Sequence, residues 1–378
     1  MVTPLKIGIV APGHFKRLAA EFGFIHGYFQ ECQKGFPIPD YMAGVSAGGI
    51  TVACAAQWTE ADFRRTEEIL LNLKREHFYG INPKLEVLGG LAVVAALATL
   101  LPIDKDTIPN RWLRYGIKGA IAAGILGMDK RFVEGLLHSD SFFSNKNLYK
   151  LLERELRISK IFRSPIKIEI ASADVNGRRF SVVSNFRPKD QKPEILLNGI
   201  VDSTRLPVFF PFRKNSEGHY LADGAALSNV PIHLARDHGC DIIIILKFRC
   251  EGEGPIEKEY NEWGPGLQRF IDMVVDEMSR KTIRGYEFFN HDLEQEKKIQ
   301  RAIQLLDDCE ARRNLESVKL SASGRRKIKL IVVDSEEIPE FHFSTANMQE
   351  KQRESLNIGY QAFKGVKDEI ARAIESRE

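Results

Sequence analysis

The run Asp241 to Phe248, DIIIILKF, most restricts the fold, because four consecutive isoleucines leave no polar position for an exposed strand face. A strand with one face in water alternates apolar and polar residues. The uninterrupted run therefore predicts a central strand that is buried on both faces, as occurs where helices cover both sides of a parallel sheet. We predict an α/β fold with a mostly parallel central sheet.

The N-terminal part of the chain repeats a pattern of strand, turn and helix. Residues 5–10 are apolar and β-branched, and residues 18–33 carry apolar side chains at spacings of three and four. Residues 41–44 then look extended, and the alanine-rich segment 47–57 predicts a second helix. Two such units in succession are typical of an α/β fold.

Residues 59–139 interrupt this alternation, and we interpret them as a helical, apolar insertion that caps the active site. Within the insertion, residues 87–103 are uncharged and close to the shortest length that can span a bilayer. Two glycines and a proline in this stretch favour a buried helix or lid, and a helix lying on a membrane surface is the alternative. A true membrane span is the least favoured of the three.

The domain organisation that we predict has two parts. Residues 1–250 form one catalytic domain that contains the insertion. Residues 251–378 add a charged helical segment, a strand near residues 327–333 and a closing amphipathic helix, all packed on the same domain.

Charge and cysteine content exclude several classes of protein. Lys and Arg total 54 against 51 for Asp and Glu, so the formal net charge of +3 does not predict nucleic-acid binding. The five cysteines are scattered without metal-ligand spacing, and we expect a reduced chain with no metal and no cofactor. No cleavable apolar leader precedes the first strand, which favours a cytoplasmic protein, with contact to a membrane surface as an open alternative.

The segment Gly44-Val45-Ser46-Ala47-Gly48 has the G-x-S-x-G spacing of a nucleophile elbow. It lies between a predicted strand and a predicted helix, as that motif requires. The serine of such an elbow occupies a strained turn, and glycine two residues before and after it avoids a collision with neighbouring backbone. Ser46 is therefore the candidate nucleophile.

A serine nucleophile needs a base. His219, His233 and His238 come late in the chain without a diagnostic setting. Asp223-Gly224 follows a short apolar segment, and a partly desolvated carboxylate can accept a hydroxyl proton directly because burial raises its pKa. Asp223 is the candidate base, and the residues alone leave open an ordinary Asp-Gly turn or a Ser-His-Asp esterase.

The serine and aspartate motifs together resemble the patatin-like phospholipase family, which pairs a G-x-S-x-G serine with the aspartate of a D-G-[GA] motif. Residues 44–49 and 223–225 match these motifs, and Asn229 and Pro231 extend the second match. Residues 202–211 also resemble the family's segment of small, proline and aromatic residues. The similarity covers about residues 5–248.

The resemblance implies a three-layer α/β/α patatin-like fold and a lipid acyl hydrolase of the phospholipase A or lysophospholipase type. Ser46 would form an acyl-enzyme and Asp223 would move the proton, without a cofactor. The implied substrate is a phospholipid or another lipid ester.

The first loop, residues 11–17, departs from the family pattern of several glycines followed by Lys or Arg. It keeps one glycine and the basic Lys16, and Pro12 has no N–H to donate. The oxyanion donors that we expect are the backbone N–H groups of Gly13, His14 and Ala47. A weakened oxyanion hole keeps a second hypothesis open, namely a patatin-like lipid-binding or interaction protein with little or no turnover.

Overall fold

The computed structural model describes residues 5–78, 80–81, 143–207, 209–250, 263–304, 327–333, 335, 337–339 and 347–376. The lid prediction for residues 87–103 lies outside the described residues. Among the described residues, no helix combines the length and apolar character needed to cross a membrane.

Ten strands lie in the described ranges, and eight of them form one sheet in the order β10-β9-β1-β2-β5-β8-β7, with β6 paired to β5. The strands are β1 (Ile7–Ala11), β2 (Tyr41–Val45), β3 (Gly80–Ile81), β4 (Phe143–Ser144), β5 (Lys167–Asp174), β6 (Arg179–Ser184), β7 (Arg213–Lys214), β8 (Tyr220–Asp223), β9 (Ile242–Ile245) and β10 (Lys329–Val332). The remaining two, β3 and β4, form a separate antiparallel pair.

The sheet is mostly parallel, as predicted. Strands β10, β9, β1, β2 and β5 run in one direction, whereas β6, β7 and β8 are antiparallel to their partners. The four isoleucines of β9 are completely buried between β1 and β10. The prediction that this run is covered on both faces is therefore confirmed.

Helices pack around the sheet, and the α/β class is confirmed. They are α1 (Leu18–Cys32), α2 (Ala47–Ala55), α3 (Glu60–Leu71), α4 (Arg75–Phe78), α5 (Lys146–Glu155), α6 (Ile158–Phe162), α7 (Pro193–Asp202), α8 (Ile232–Asp237), α9 (Trp263–Gln304) and α10 (Met348–Glu375). The Thr59 side chain caps α3 by accepting the N–H of Asp62 at 3.3 Å. Pro193 begins α7, where its missing N–H costs no helical hydrogen bond.

The C-terminal part of the chain contributes to the same core. Strand β10 pairs with β9 along its full length. Helix α10 packs on α1, where the ring of Phe363 meets that of Phe24 edge to face at a centroid distance of 5.5 Å. The charged segment, residues 267–313, for which the sequence predicts one or two helices, contains a single long helix, α9, within the described residues.

Candidate active site

Ser46 lies at a sharp turn between β2 and α2. Its backbone has φ 52° and ψ −127°, a left-handed region that a residue with a side chain rarely adopts. The chain passes so close to itself here that a Cβ on Gly44 would lie 2.3 Å from the Gly48 carbonyl oxygen. A Cβ on Gly48 would lie 2.1 Å from the carbonyl oxygen of Ala11. Both glycines are thus required by close backbone contact, and the local geometry is that of a nucleophile elbow.

Strand β5 brings the predicted nucleophile and the predicted base together. Val45, at the end of β2, pairs with Ala171. Asp223, at the end of β8, pairs with the next residue of β5, Ser172. Ala171 and Ser172 also pair with β6, which lies along one edge of β5. Strands β2 and β8 therefore both lie along the opposite edge of β5. Because β8 runs antiparallel to β5 and β2 runs parallel to it, the two strands meet end to end.

The side chains of Ser46 and Asp223 lie within interaction distance of each other at this junction. Asp223 is only 3% exposed, and burial raises the pKa of its carboxyl group to about 6. The N–H of Ala225, which donates to Asp223 Oδ1 at 2.8 Å, and the interaction with Ser46 oppose this increase by stabilising the charged form. A carboxylate with such a pKa is ionised at neutral pH and is still a stronger base than an exposed aspartate.

Ser203 is a site residue for which the sequence pattern indicates no individual role. Its side chain is completely buried, accepts the N–H of Ser46 at 2.7 Å, and donates to the carbonyl oxygen of Ala171 at 2.6 Å. Ser203 therefore connects the strained turn at Ser46 to Ala171, the residue of β5 that pairs with Val45. The segment 202–211 stood out in the sequence, but nothing in its composition indicated this contact.

The predicted oxyanion loop lies against the nucleophile. A Cβ on Gly13 would lie 2.7 Å from Ser46 Cβ and 2.8 Å from Asn229 Oδ1. The Gly13 N–H donates to the backbone carbonyl of Asn229 at a long 3.4 Å, so this predicted donor has an acceptor inside the protein. Ala47 is the first residue of α2, and an N–H in a first helical turn has no acceptor within the helix.

The other two residues predicted for this loop lie close by. His14 precedes the short 3-10 helix Phe15–Arg17, and its Nδ1 lies 3.9 Å from Cys250 Sγ. Lys16 is half-buried within that helix. Gly224, which follows the aspartate, packs against β5, where an added Cβ would lie 2.2 Å from the Ala171 carbonyl oxygen.

The three late histidines have other partners. His219 Nδ1 lies 2.9 Å from Asp174 Oδ2. His233 stacks on Phe180 at a centroid distance of 4.8 Å, and His238 stacks on Tyr41 at 4.5 Å. These contacts give each imidazole a partner other than Ser46. In the part of the chain that the structure describes, no three His, Cys, Asp or Glu side chains form a group that could hold a metal ion.

The comparison with known families agrees with this geometry. The sequence model for patatin-like phospholipases matches residues 13–236, more than half of the chain. The chain belongs to the patatin-like phospholipase family. Members of this family are lipid ester hydrolases. The match includes the elbow, the Asp-Gly turn and the segment that contains Ser203.

No curated protein matches the chain. The crystal structure of VipD from Legionella pneumophila is similar at 14% identity with a TM-score of 0.41, covering 99% of this chain and 67% of VipD. ExoU from Pseudomonas aeruginosa, in complex with SpcU, is similar at 18% identity with a TM-score of 0.28. That match covers 73% of this chain and 52% of ExoU, so this chain spans about half of ExoU's length. Neither likeness is close enough to support an argument about function.

Proposed function

We propose that this member of the family is a phospholipase A or lysophospholipase-like acyl hydrolase that uses Ser46 as nucleophile and Asp223 as base. The juxtaposition of these two side chains, at the end-to-end junction of β2 and β8, carries the proposal. The raised pKa of the Asp223 carboxyl group supports it further, because direct proton transfer from a hydroxyl requires a stronger base than an exposed aspartate.

The reaction then proceeds in two halves. Ser46 Oγ forms a bond to the ester carbonyl carbon while its proton passes to Asp223. The C–O bond to the alcohol breaks, the alcohol takes that proton, and the acyl group stays on Ser46. Water attacks the acyl-enzyme, gives a proton to Asp223, and releases the fatty acid as Ser46 recovers its proton. The Ala47 N–H, on the residue after the nucleophile, is suited to stabilise the oxyanion in both halves.

A Ser-His-Asp mechanism has less support. The imidazole of His219 is paired with Asp174, and those of His233 and His238 stack on aromatic rings. The carboxylate, by contrast, contacts the serine directly. We therefore expect His219→Ala to retain ester turnover and Asp223→Asn to lose it, because the amide cannot accept the proton.

One observation favours a second candidate function, a lipid-binding protein with weak turnover. The Gly13 N–H donates to Asn229, and Pro12 has no N–H, so the loop supplies fewer oxyanion donors than a run of glycines would. Loss of one donor typically lowers kcat by about 10² to 10³. This second function predicts lipid binding that is the same in wild type and Ser46→Ala, with little or no ester hydrolysis in wild type.

Labelling with a fluorophosphonate probe distinguishes these proposals. We expect wild type to be labelled, Ser46→Ala to be unlabelled, and Ser376→Ala, which changes an exposed serine at the end of α10, to be labelled like wild type. Release of fatty acid from phospholipid and lysophospholipid should follow the same order. An unlabelled wild-type protein, in a reaction where a control esterase is labelled, would contradict the acyl hydrolase proposal.

A further inference from the structure

Strands β8 and β7 form a corner of the sheet that extends beyond Ser46 and Asp223, which we call the dyad. Tyr220 begins β8 and Asp223 ends it, so the two are separated by about 10 Å along the strand at the usual rise per residue. The N–H of Asp223 donates to the carbonyl oxygen of Arg205 at 2.9 Å. Leu206, the residue after Arg205, therefore also lies near the dyad. Residues at this corner therefore form a rim near the candidate base.

The rim exposes large apolar side chains. Phe212 is 41% exposed, Tyr220 is 40% exposed, and Leu206 is also exposed. The rings of Phe212 and Tyr220 lie 6.2 Å apart, so they form one aromatic surface rather than two isolated contacts. We call Leu206, Phe212, Lys214 and Tyr220 the rim patch. Two adjacent exposed rings with a third exposed apolar side chain at the same corner are typical of an interaction site.

The charge of the rim patch is positive. Lys214 is exposed, and its Nζ lies 4.9 Å from the centroid of the Tyr220 ring. Among the described residues, the salt bridges of this corner engage Arg179, Arg205 and Arg213 but not Lys214. Arg205 and Arg213 share one buried carboxylate, Asp202, whereas Arg179 faces two, Asp174 and Glu217. With Lys214 included, these groups leave one positive charge in excess at this corner.

We propose that the rim patch binds the surface of an anionic phospholipid bilayer. Aromatic side chains with a polar edge prefer the depth of the lipid headgroups, and a neighbouring lysine is attracted to anionic headgroups. The rings would enter the interface while Lys214 contacts phosphate or carboxylate groups. The inference rests on the proposed function only in supplying the reason for such contact, since a bilayer bound at this rim lies at the corner of the sheet that contains the candidate base.

Vesicle binding tests the proposal independently of turnover. Protein carrying Ser46→Ala, which leaves the lipid intact, is sedimented with vesicles of phosphatidylcholine alone or of phosphatidylcholine with phosphatidylserine. We expect Phe212→Ser with Tyr220→Ser to weaken binding by roughly tenfold or more, about 1.4 kcal/mol. Lys214→Glu should weaken binding to vesicles that contain phosphatidylserine and change binding to phosphatidylcholine little.

Matched controls separate the rim patch from general effects. Phe288→Ser removes a ring that is 68% exposed on α9, and Lys189→Glu reverses an exposed charge after β6. Both should bind vesicles like the parent protein, and all variants should show cooperative thermal unfolding. Equal binding by the rim variants and the parent, an equal loss in the controls, or no vesicle binding by the parent would overturn the proposal.

Hydrolysis of a soluble, monomeric ester distinguishes failure of this proposal from failure of the proposed function. With Ser46 intact, the rim variants should hydrolyse that ester at the wild-type rate and hydrolyse vesicle phospholipid more slowly. If Ser46→Ala hydrolyses the soluble ester like wild type, the proposed function fails, whereas the vesicle-binding result still decides whether the rim patch binds a bilayer.

Discussion

The hydroxyl of Ser203 offers a specific test of how the nucleophile is held. Ser203→Ala removes the acceptor of the Ser46 N–H and the donor to the Ala171 carbonyl, at distances of 2.7 and 2.6 Å. A buried polar group left without a partner costs about 1–3 kcal/mol, and a backbone in an unfavourable φ region stores a similar amount. Without the hydroxyl, the turn can release that strain by moving the serine away from the aspartate.

We expect Ser203→Ala to lower the free energy of unfolding by about 2–4 kcal/mol, since it leaves two polar groups without their partner. We also expect kcat on a soluble ester to fall by about 10- to 100-fold with little change in KM, because a displaced nucleophile affects the transition state more than substrate binding. Urea unfolding and steady-state kinetics measure the two effects separately. Ser203→Thr keeps a hydroxyl and should recover part of the lost kcat.

Ser355→Ala is the matched control. Ser355 is also completely buried and donates one hydrogen bond, to the Lys351 carbonyl at 2.8 Å, but it lies in α10 away from the dyad. We expect this variant to lose stability and keep kcat. The reasoning is refuted if Ser203→Ala keeps the wild-type kcat, or if both variants lose kcat to the same extent.

Three further predictions concern pH and close packing. Because the pKa of Asp223 is raised to about 6 and only the ionised form accepts a proton, kcat/KM on a soluble ester should rise with pH through about 6 and then level; a flat profile there contradicts this role. Gly48→Ala would place a Cβ 2.1 Å from the Ala11 carbonyl oxygen, a backbone atom that cannot move aside, so activity should fall by at least about 100-fold. Burial raises the pKa of Glu21 from 4.5 to about 8, so the folded state keeps a proton that the unfolded state loses, and stability should fall as pH rises between these values. In thermal unfolding, the Tm of Glu21→Gln should rise relative to that of wild type as pH increases across that range. A Tm difference that does not change with pH would contradict a buried, protonated Glu21.

Local patterns in the sequence predicted much of the fold. The four isoleucines of β9 predict a strand without an exposed face, and they are buried as the pattern requires. The apolar spacing along residues 18–33 and in the C-terminal tail predicts amphipathic helices, and α1 and α10 are found there, although α1 is buried throughout Leu18–Phe29 and not on one face alone. These features depend on residues a few positions apart, so a short window of sequence contains the information that determines them.

Contacts between distant segments were decided only by the tertiary structure. The motifs around Ser46 and Asp223 predict the two partners, but their contact depends on both β2 and β8 pairing with the same edge of β5 in adjacent register. The contact of Ser203 with the elbow and the pairing of His219 with Asp174 have no local signal at all.

By itself, then, the sequence determined several of the strands and helices, where the strained turn occurs, and which residue types can do the chemistry. The tertiary structure decided which of those residues meet, how deeply the Asp223 carboxyl is buried, and that the Gly13 N–H faces the Asn229 carbonyl. The physical reason is that a hydrogen bond and a shifted pKa depend on ångström-scale distances and on burial by residues throughout the chain, whereas a periodic pattern records only neighbours along it.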